Sequence, residues 1–196
     1  MDKEVKIGKL DETELVCQGD VFQGVKYYFS VKEDNDGVDI IELTFPFVVI
    51  LSQACDTYFM SDLVNKSTSQ EPASNKKFMY SYLVAPIYNL ESLKSGDYFV
   101  SELPIRMKKE QQFNSKEKDI AASDMHYRYY LFKSQNIYDN NESVIDFKHY
   151  FTLNAIDLMS QRANRMGNFD REHTLKIVNK FAAFLTRVGI SDDNNQ

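Results

Sequence analysis

The sequence predicts an α+β protein, with a mostly antiparallel sheet over residues 1–153, an insertion around residues 90–122, and a two-helix element over residues 154–190 packed on the same domain. Three observations carry that expectation. Phe45-Pro46-Phe47-Val48-Val49-Ile50-Leu51 and Phe78–Ile87 are apolar enough to be strands covered on both faces. Shorter runs rich in Val, Tyr and Phe flank them, punctuated by Asn, Asp and Gly. Past Asn154 the spacing of apolar residues changes from the strand period of two to a helical one.

Taken in order, Thr13–Cys17 reads as a strand that stops at Gln18-Gly19-Asp20, and Val21-Phe22 opens the next extended segment. Val25–Val31 has strand composition, and Glu33-Asp34-Asn35-Asp36-Gly37 supplies a turn into Val38–Leu43. The Pro46–Leu51 strand follows. Thr57–Asn65 fits neither period, and Lys66–Lys77 is a polar loop. Phe78–Ile87 is expected beside Pro46–Leu51, with Pro86 ending its ladder. Leu90–Ala122 is rich in charge and glutamine, and Lys108-Lys109-Glu110-Gln111-Gln112 suggests an exposed helix within the insertion.

The sheet is expected to resume at Tyr127–Lys133 and Val144–Phe147, with a turn within Asn136–Glu142. A first closing helix, capped by Asn154 and carrying Ile156, Met159 and Ala163, should end near Gly167. A second should start after Asp170, with Glu172 complementing the helix dipole, and carry Leu175, Val178, Phe181, Ala182 and Leu185 before stopping at Gly189. Residues 191–196 read as a disordered tail.

Composition narrows the classes of function. The 196 residues carry a formal net charge of -6, which gives no global pull toward nucleic acid or an anionic membrane. Two cysteines, Cys17 and Cys55, do not make a disulfide framework. The chain opens Met1-Asp2-Lys3-Glu4 without a basic segment followed by an apolar one, and no run approaches the roughly 18 apolar residues of a membrane span. A soluble cytoplasmic protein is expected. Only 7 glycines occur, against a glycine-hinged phosphate loop, and no cofactor motif is present. With 12 Tyr, 14 Phe and no Trp, aromatic packing should build the core.

The candidate catalytic residues are Ser52, Cys55 and Asp56, delivered where an apolar strand opens into polar sequence. Asp56 could orient a partner while Cys55 or Ser52 attacks, provided that a base such as His126, His149 or His173 folds back beside them. The alternative reading packs Cys55 in the core and leaves Ser52 and Asp56 bonding turn backbone. Cys17, Cys55, His126 and His149 are types that zinc accepts, but no pair has the usual ligand spacing, so no metal is expected. Tyr127-Arg128-Tyr129-Tyr130 and Lys26-Tyr27-Tyr28-Phe29 interleave cations with rings, as a single-strand nucleic-acid platform does; a sheet with tyrosine inward and cations outward gives the same pattern.

Gly19-Asp20-Val21-Phe22, Pro46 leading Val48-Val49-Ile50-Leu51-Ser52, and Leu83-Val84-Ala85-Pro86-Ile87 together resemble the MazF/PemK toxin family over roughly residues 18–90. The resemblance implies an SH3-like, PemK-like β-barrel, a dimer, and cleavage of single-stranded RNA by an arginine with a Ser or Thr. Ser52 falls at the family's hydroxyl position, whereas Phe45 stands where the family's arginine precedes proline. Phenylalanine cannot stabilise charge building on phosphate oxygens, so Arg106 or Arg128 would have to supply that cation or cleavage is lost. The leading reading is a noncatalytic or degenerate barrel acting as an interaction module in a bacterial toxin or defence system, with a protein partner or a second copy. The alternatives are an endoribonuclease using Ser52, with the Lys66–Lys77 loop covering RNA, and a Cys55-dependent hydrolase or transferase.

Overall fold

The computed structural model describes residues 5–8, 15–34, 37–66, 78–96 and 127–186. In it the run ending at Ile50 is the last part of β3 (Gly37–Ile50), which pairs antiparallel with β2 (Asp20–Asp34) on one side and β4 (Ser81–Asn89) on the other. Val21 stands opposite Val49, and Val49 opposite Ala85. Beyond β4 come β6 (Ile137–Asp146) and β5 (Tyr129–Ser134). Beyond β2 come β8 (Arg165–Phe169) and β1 (Ile7–Gly8), while β7 (Phe151–Asn154) pairs with the first half of β4. The strand order is β1-β8-β2-β3-β4-β6-β5. Its two ends meet where Val5 N–H donates to the Lys133 carbonyl at 2.7 Å, which makes the sheet a nearly closed barrel.

Alternation along β3 explains why that sequence is apolar without interruption. Phe47 and Val49 join Val21, Ala85, Tyr130, Ile145 and Phe169 in the barrel interior, which Ile177 and Phe181 of α4 (Arg171–Leu185) also enter. Val48 and Ile50 face the other way, into a second core with Phe22, Val25, Tyr82 and Val84. Met60 of α1 (Ala54–Lys66) and Leu158 and Met159 of α3 (Ala155–Ser160) cover that core. A short α2 (Leu90–Ser95) follows β4, with the Asn89 side chain accepting from Glu91 and Ser92 N–H and Gly96 closing it at φ 75°. No helix among the described residues is long and apolar enough to cross a membrane.

Several boundaries differ from the sequence reading, each for a physical reason. The paired short segments on either side of Gly24 and of Pro46 are continuous strands, because Gly24 takes a left-handed φ of 61° and a register shift between Tyr28 and Ser30 absorbs the remaining misfit. Residues 15–17 are not a strand: Val16 N–H donates to Ser61 Oγ and Cys17 N–H to the Asp20 carboxylate, so their donors serve side chains rather than a ladder. Thr57–Asn65 is helical, within α1. Pro86 does not end β4. Leu83 directs its N–H and carbonyl toward β3 and its neighbour Ser52, so by alternation the missing Pro86 N–H faces the opposite edge. There β7 pairing stops at Val84 and β6 pairing begins at Ile87, and no ladder bond is lost.

The turn between β5 and β6 is Gln135-Asn136, and Tyr138, Asp139 and Asn140 instead form an excursion within β6 at positive φ. The closing element is helix, strand, helix rather than two helices. Asn154 caps α3 as expected, accepting from Ile156 and Asp157 N–H, but the helix stops at Ser160. Gly167 lies in β8, where it admits the backbone of β1: a Cβ there would collide with the Gly8 carbonyl oxygen. Asp170 caps α4, with Glu172 in its first turn, and the helix ends at Leu185 rather than Gly189. The 67–77 loop, the insertion beyond Gly96, Arg106, His126, Gly189 and the tail lie outside the described residues.

Gly167→Ala is expected to lower unfolding free energy by about 1–3 kcal/mol in urea titrations, the range for forced overpacking. Amide exchange should rise first at Ile7 and Phe169, because β1 is the strand pushed away.

Candidate functional site

At the end of β3 the Ser52 hydroxyl accepts the Leu83 N–H at 2.7 Å, while Leu83 carbonyl accepts from Leu51 N–H at 2.8 Å and Ser52 N–H at 3.3 Å. The side chain therefore stands in for a carbonyl one step beyond the last ladder pair. Cys55 and Asp56 sit in the first turn of α1, both exposed. The reading that buries Cys55 in the core is thus corrected: α1 buries Thr57, Met60 and Ser61 instead, leaving Cys55 on the opposite side. The polar contacts of the Cys55 thiol are Gln53 Oε1 at 3.8 Å and Asp56 Oδ1 at 3.7 Å, so neither described histidine is hydrogen-bonded to it. Ser52, Cys55 and Asp56 are neighbours in space without a base among the described residues.

Beside this strand end lies a cleft of about 420 Å³, lined by Leu15, Cys17, Gln18, Asp20, Ala54, Asn168, Arg171, Thr174 and Leu175. Its floor is a buried polar network centred on Asp20, which is wholly inaccessible. The carboxylate accepts from Cys17 N–H at 2.8 Å and from Asn168 Nδ2 at 2.6 Å, and Arg165 Nη1 lies 3.5 Å away. Asn168 Nδ2 also reaches the Gln18 carbonyl at 3.1 Å, and Gln18 Nε2 donates to the Leu51 carbonyl at 3.0 Å. Three chain segments are fixed there: residues 17–20, the end of β3 and β8. The sequence reading noted Gly19-Asp20 but missed Gln18, Arg165, Asn168 and Arg171, since nothing in their spacing joins positions about 150 apart in sequence.

Arg128 is placed elsewhere. It forms a two-pronged pair with Asp146, Nε to Oδ1 at 2.8 Å and Nη2 to Oδ2 at 2.7 Å, and its guanidinium lies 4.7 Å from the Tyr129 ring centroid. Asp146 is fully buried and also accepts from Lys148 N–H at 3.0 Å, with His149 Nδ1 at 3.5 Å from Oδ2. Tyr88 Oη and His149 Nδ1 are 3.2 Å apart. Burial holds the His149 imidazole below its ordinary value, Arg128 and Lys148 push the same way, and Asp146 opposes them. The hydrogen bonds of Ser52 run to Leu83, so the structure does not join Arg128 to the hydroxyl it was expected to serve. His173 pairs with Asp170 at 2.7 Å. Among the described residues no group of three or more His, Cys, Asp or Glu is arranged to hold a metal ion.

No protein-family model matches the sequence, and no curated protein matches it.

Arg128→Ala leaves the buried Asp146 carboxylate without its main counter-charge and is expected to cost about 3–5 kcal/mol in urea unfolding at pH 7. Asp146→Ala added to it should restore part of that loss. His149 titrates lower folded than unfolded, so the unfolded chain binds the extra proton first. Stability should fall as pH drops below about 6.5, and this decrement should level off once the folded imidazole is also protonated. Imidazole proton shifts followed by NMR should give a His149 midpoint below that of a histidine peptide.

Proposed function

We propose that the protein is a MazF/PemK-like barrel without RNA-cleaving activity that serves as an interaction module, binding a protein partner or a second copy within a bacterial toxin or defence system. One observation carries the reading: the Ser52 hydroxyl, at the family's hydroxyl position, is engaged with Leu83 N–H as a backbone partner. A cleavage site of that kind needs a cation aimed at the reacting phosphate. Phe45 cannot provide it, Arg128 spends two of its donor nitrogens on Asp146, and Arg106, the other candidate cation, lies outside the described residues. For the thiol alternative, neither histidine among the described residues is in hydrogen-bond contact with Cys55.

Support for the barrel type comes from adjacency. Gly19-Asp20 opens β2, the Val48-Val49-Ile50 segment lies in β3, and Ala85-Pro86-Ile87 lies in β4, so the three resembling segments are consecutive neighbours in one sheet. The exposed rings of Tyr80 and Tyr58 and the exposed Ile156 offer apolar surface for a partner outside both cores.

Incubated with a mixed single-stranded RNA pool, the folded wild-type protein should leave the RNA intact. Ser52→Ala should cost about 1 kcal/mol of stability, the worth of one hydrogen bond, without changing any activity. RNA cleavage that disappears in Ser52→Ala, Cys55→Ala or Asp56→Ala, with circular dichroism unchanged, would overturn the reading and identify an enzyme.

A further inference from the structure

The cleft beside the strand end has the composition of a small-molecule site, which goes beyond the interaction reading and does not rest on it. Its volume of about 420 Å³ lies within the range of roughly 300–1,000 Å³ typical of ligand pockets. Leu15, Ala54 and Leu175 give it an apolar wall, and Leu175 is 51% exposed, so its side chain is accessible from the cleft. The polar floor is already satisfied: Asp20, Asn168 and Gln18 are tied to one another and to backbone, so their positions are set before any ligand arrives.

One charged group on the wall is not committed in that way. Arg171 is exposed, lines the cleft, and has no hydrogen bond or ion pair among the described residues. The acidic side chains flanking it in sequence are engaged elsewhere, Asp170 with His173 and Glu172 with Lys176. The one carboxylate in the lining, Asp20, is buried against Arg165. A guanidinium can hold a carboxylate or a phosphate, but the lining offers one cation and no lysine, which balances a monoanionic carboxylate and leaves a phosphate dianion half neutralised.

We infer that this cleft binds a small carboxylic acid with an apolar body, its carboxylate on Arg171 and its body against Leu15, Ala54 and Leu175. Ala54 joins the site to the Cys55 and Asp56 turn, so a bound acid sits beside those side chains without needing them. The ligand class is a free organic acid.

The test uses the full chain, isotope-labelled, titrated with hexanoate and separately with the neutral hexanamide while amide shifts are followed by NMR. Hexanoate should give saturable shifts at Cys17, Ala54, Asn168 and Thr174, and hexanamide should bind roughly tenfold more weakly, as expected for loss of one charge-assisted contact. Arg171→Gln should bring hexanoate down to the hexanamide level. Leu175→Glu, an exposed position where folding is not at stake, should abolish hexanoate binding by placing a like charge on the wall. Lys94→Gln, on α2, should leave it unchanged. Equal binding of acid and amide, an unaltered affinity in Arg171→Gln, or no saturable shift at these amides would overturn the assignment. So would shifts scattered over other basic surfaces.

Discussion

Everything in this molecule is arranged around one strand that must be dry on both faces. From Phe47 to Ile50, β3 is buried at every residue, two side chains inward and two outward. A single barrel can satisfy only the inward pair. The outward pair requires a second layer, and α1, α3 and the segment carrying Val16 supply it. At roughly 1.5–3 kcal/mol for each large apolar side chain withdrawn from water, neither face could be left open. α1 and α3 are therefore a requirement of β3 rather than an appendage to the barrel, and their placement follows from Val48 and Ile50.

The polar counterpart of that strand is Asp20. A carboxylate with no solvent access is tolerated only when its lone pairs are occupied and its charge is opposed, and here backbone, amide and guanidinium groups do both. Those partners come from residue 17, β8 and the neighbouring turn, so the carboxylate binds the start of β2 to the strand that completes its edge. Gly19 adds to this at φ 88°, its N–H donating to the Ile50 carbonyl and its own carbonyl accepting from Phe169 N–H. Asp20, Gln18 and Asn168, which these bonds fix, are also lining residues of the cleft, so its polar side is set by the same network.

How much of this was legible in the sequence depended on whether the signal was local. The buried stretches of β3 and β4 could be read from composition, although Phe78-Met79-Tyr80, expected in the second of them, precede β4 with both rings exposed; both helix caps, Asn154 and Asp170, could be read from residue type and position. Pro86 misled because proline reports a missing donor without reporting which edge the donor would have faced; only the handover from β7 to β6 supplies that. Gly167 misled for a similar reason. Glycine marks both a helix stop and a close approach of two backbones, and the second operates here through β1. The alternative that packed Cys55 in the core took it to follow an apolar strand, but a helix begins one residue before it, and helix phase decided the outcome. The Asp20 network was illegible because its members are separated by almost the whole chain.

The same distinction governs what the candidate residues can do. A side chain is available for chemistry when its removal would leave the fold intact, and by that measure the strand end and the Arg128 cluster differ from the cleft. Ser52 completes a ladder, and Arg128 and Asp146 neutralise each other beside the half-buried His149. Arg128 and Asp146 could be recruited for catalysis only by surrendering bonds that the barrel uses, and replacing Ser52 would remove the acceptor of the Leu83 N–H. Arg171 has no such duty: it is exposed, it caps nothing, and the helix it begins is held by Asp170 and by Ile177 and Phe181 in the core. At the rim of the cleft, with no hydrogen bond or ion pair among the described residues, Arg171 can take a ligand without breaking a bond that the fold uses.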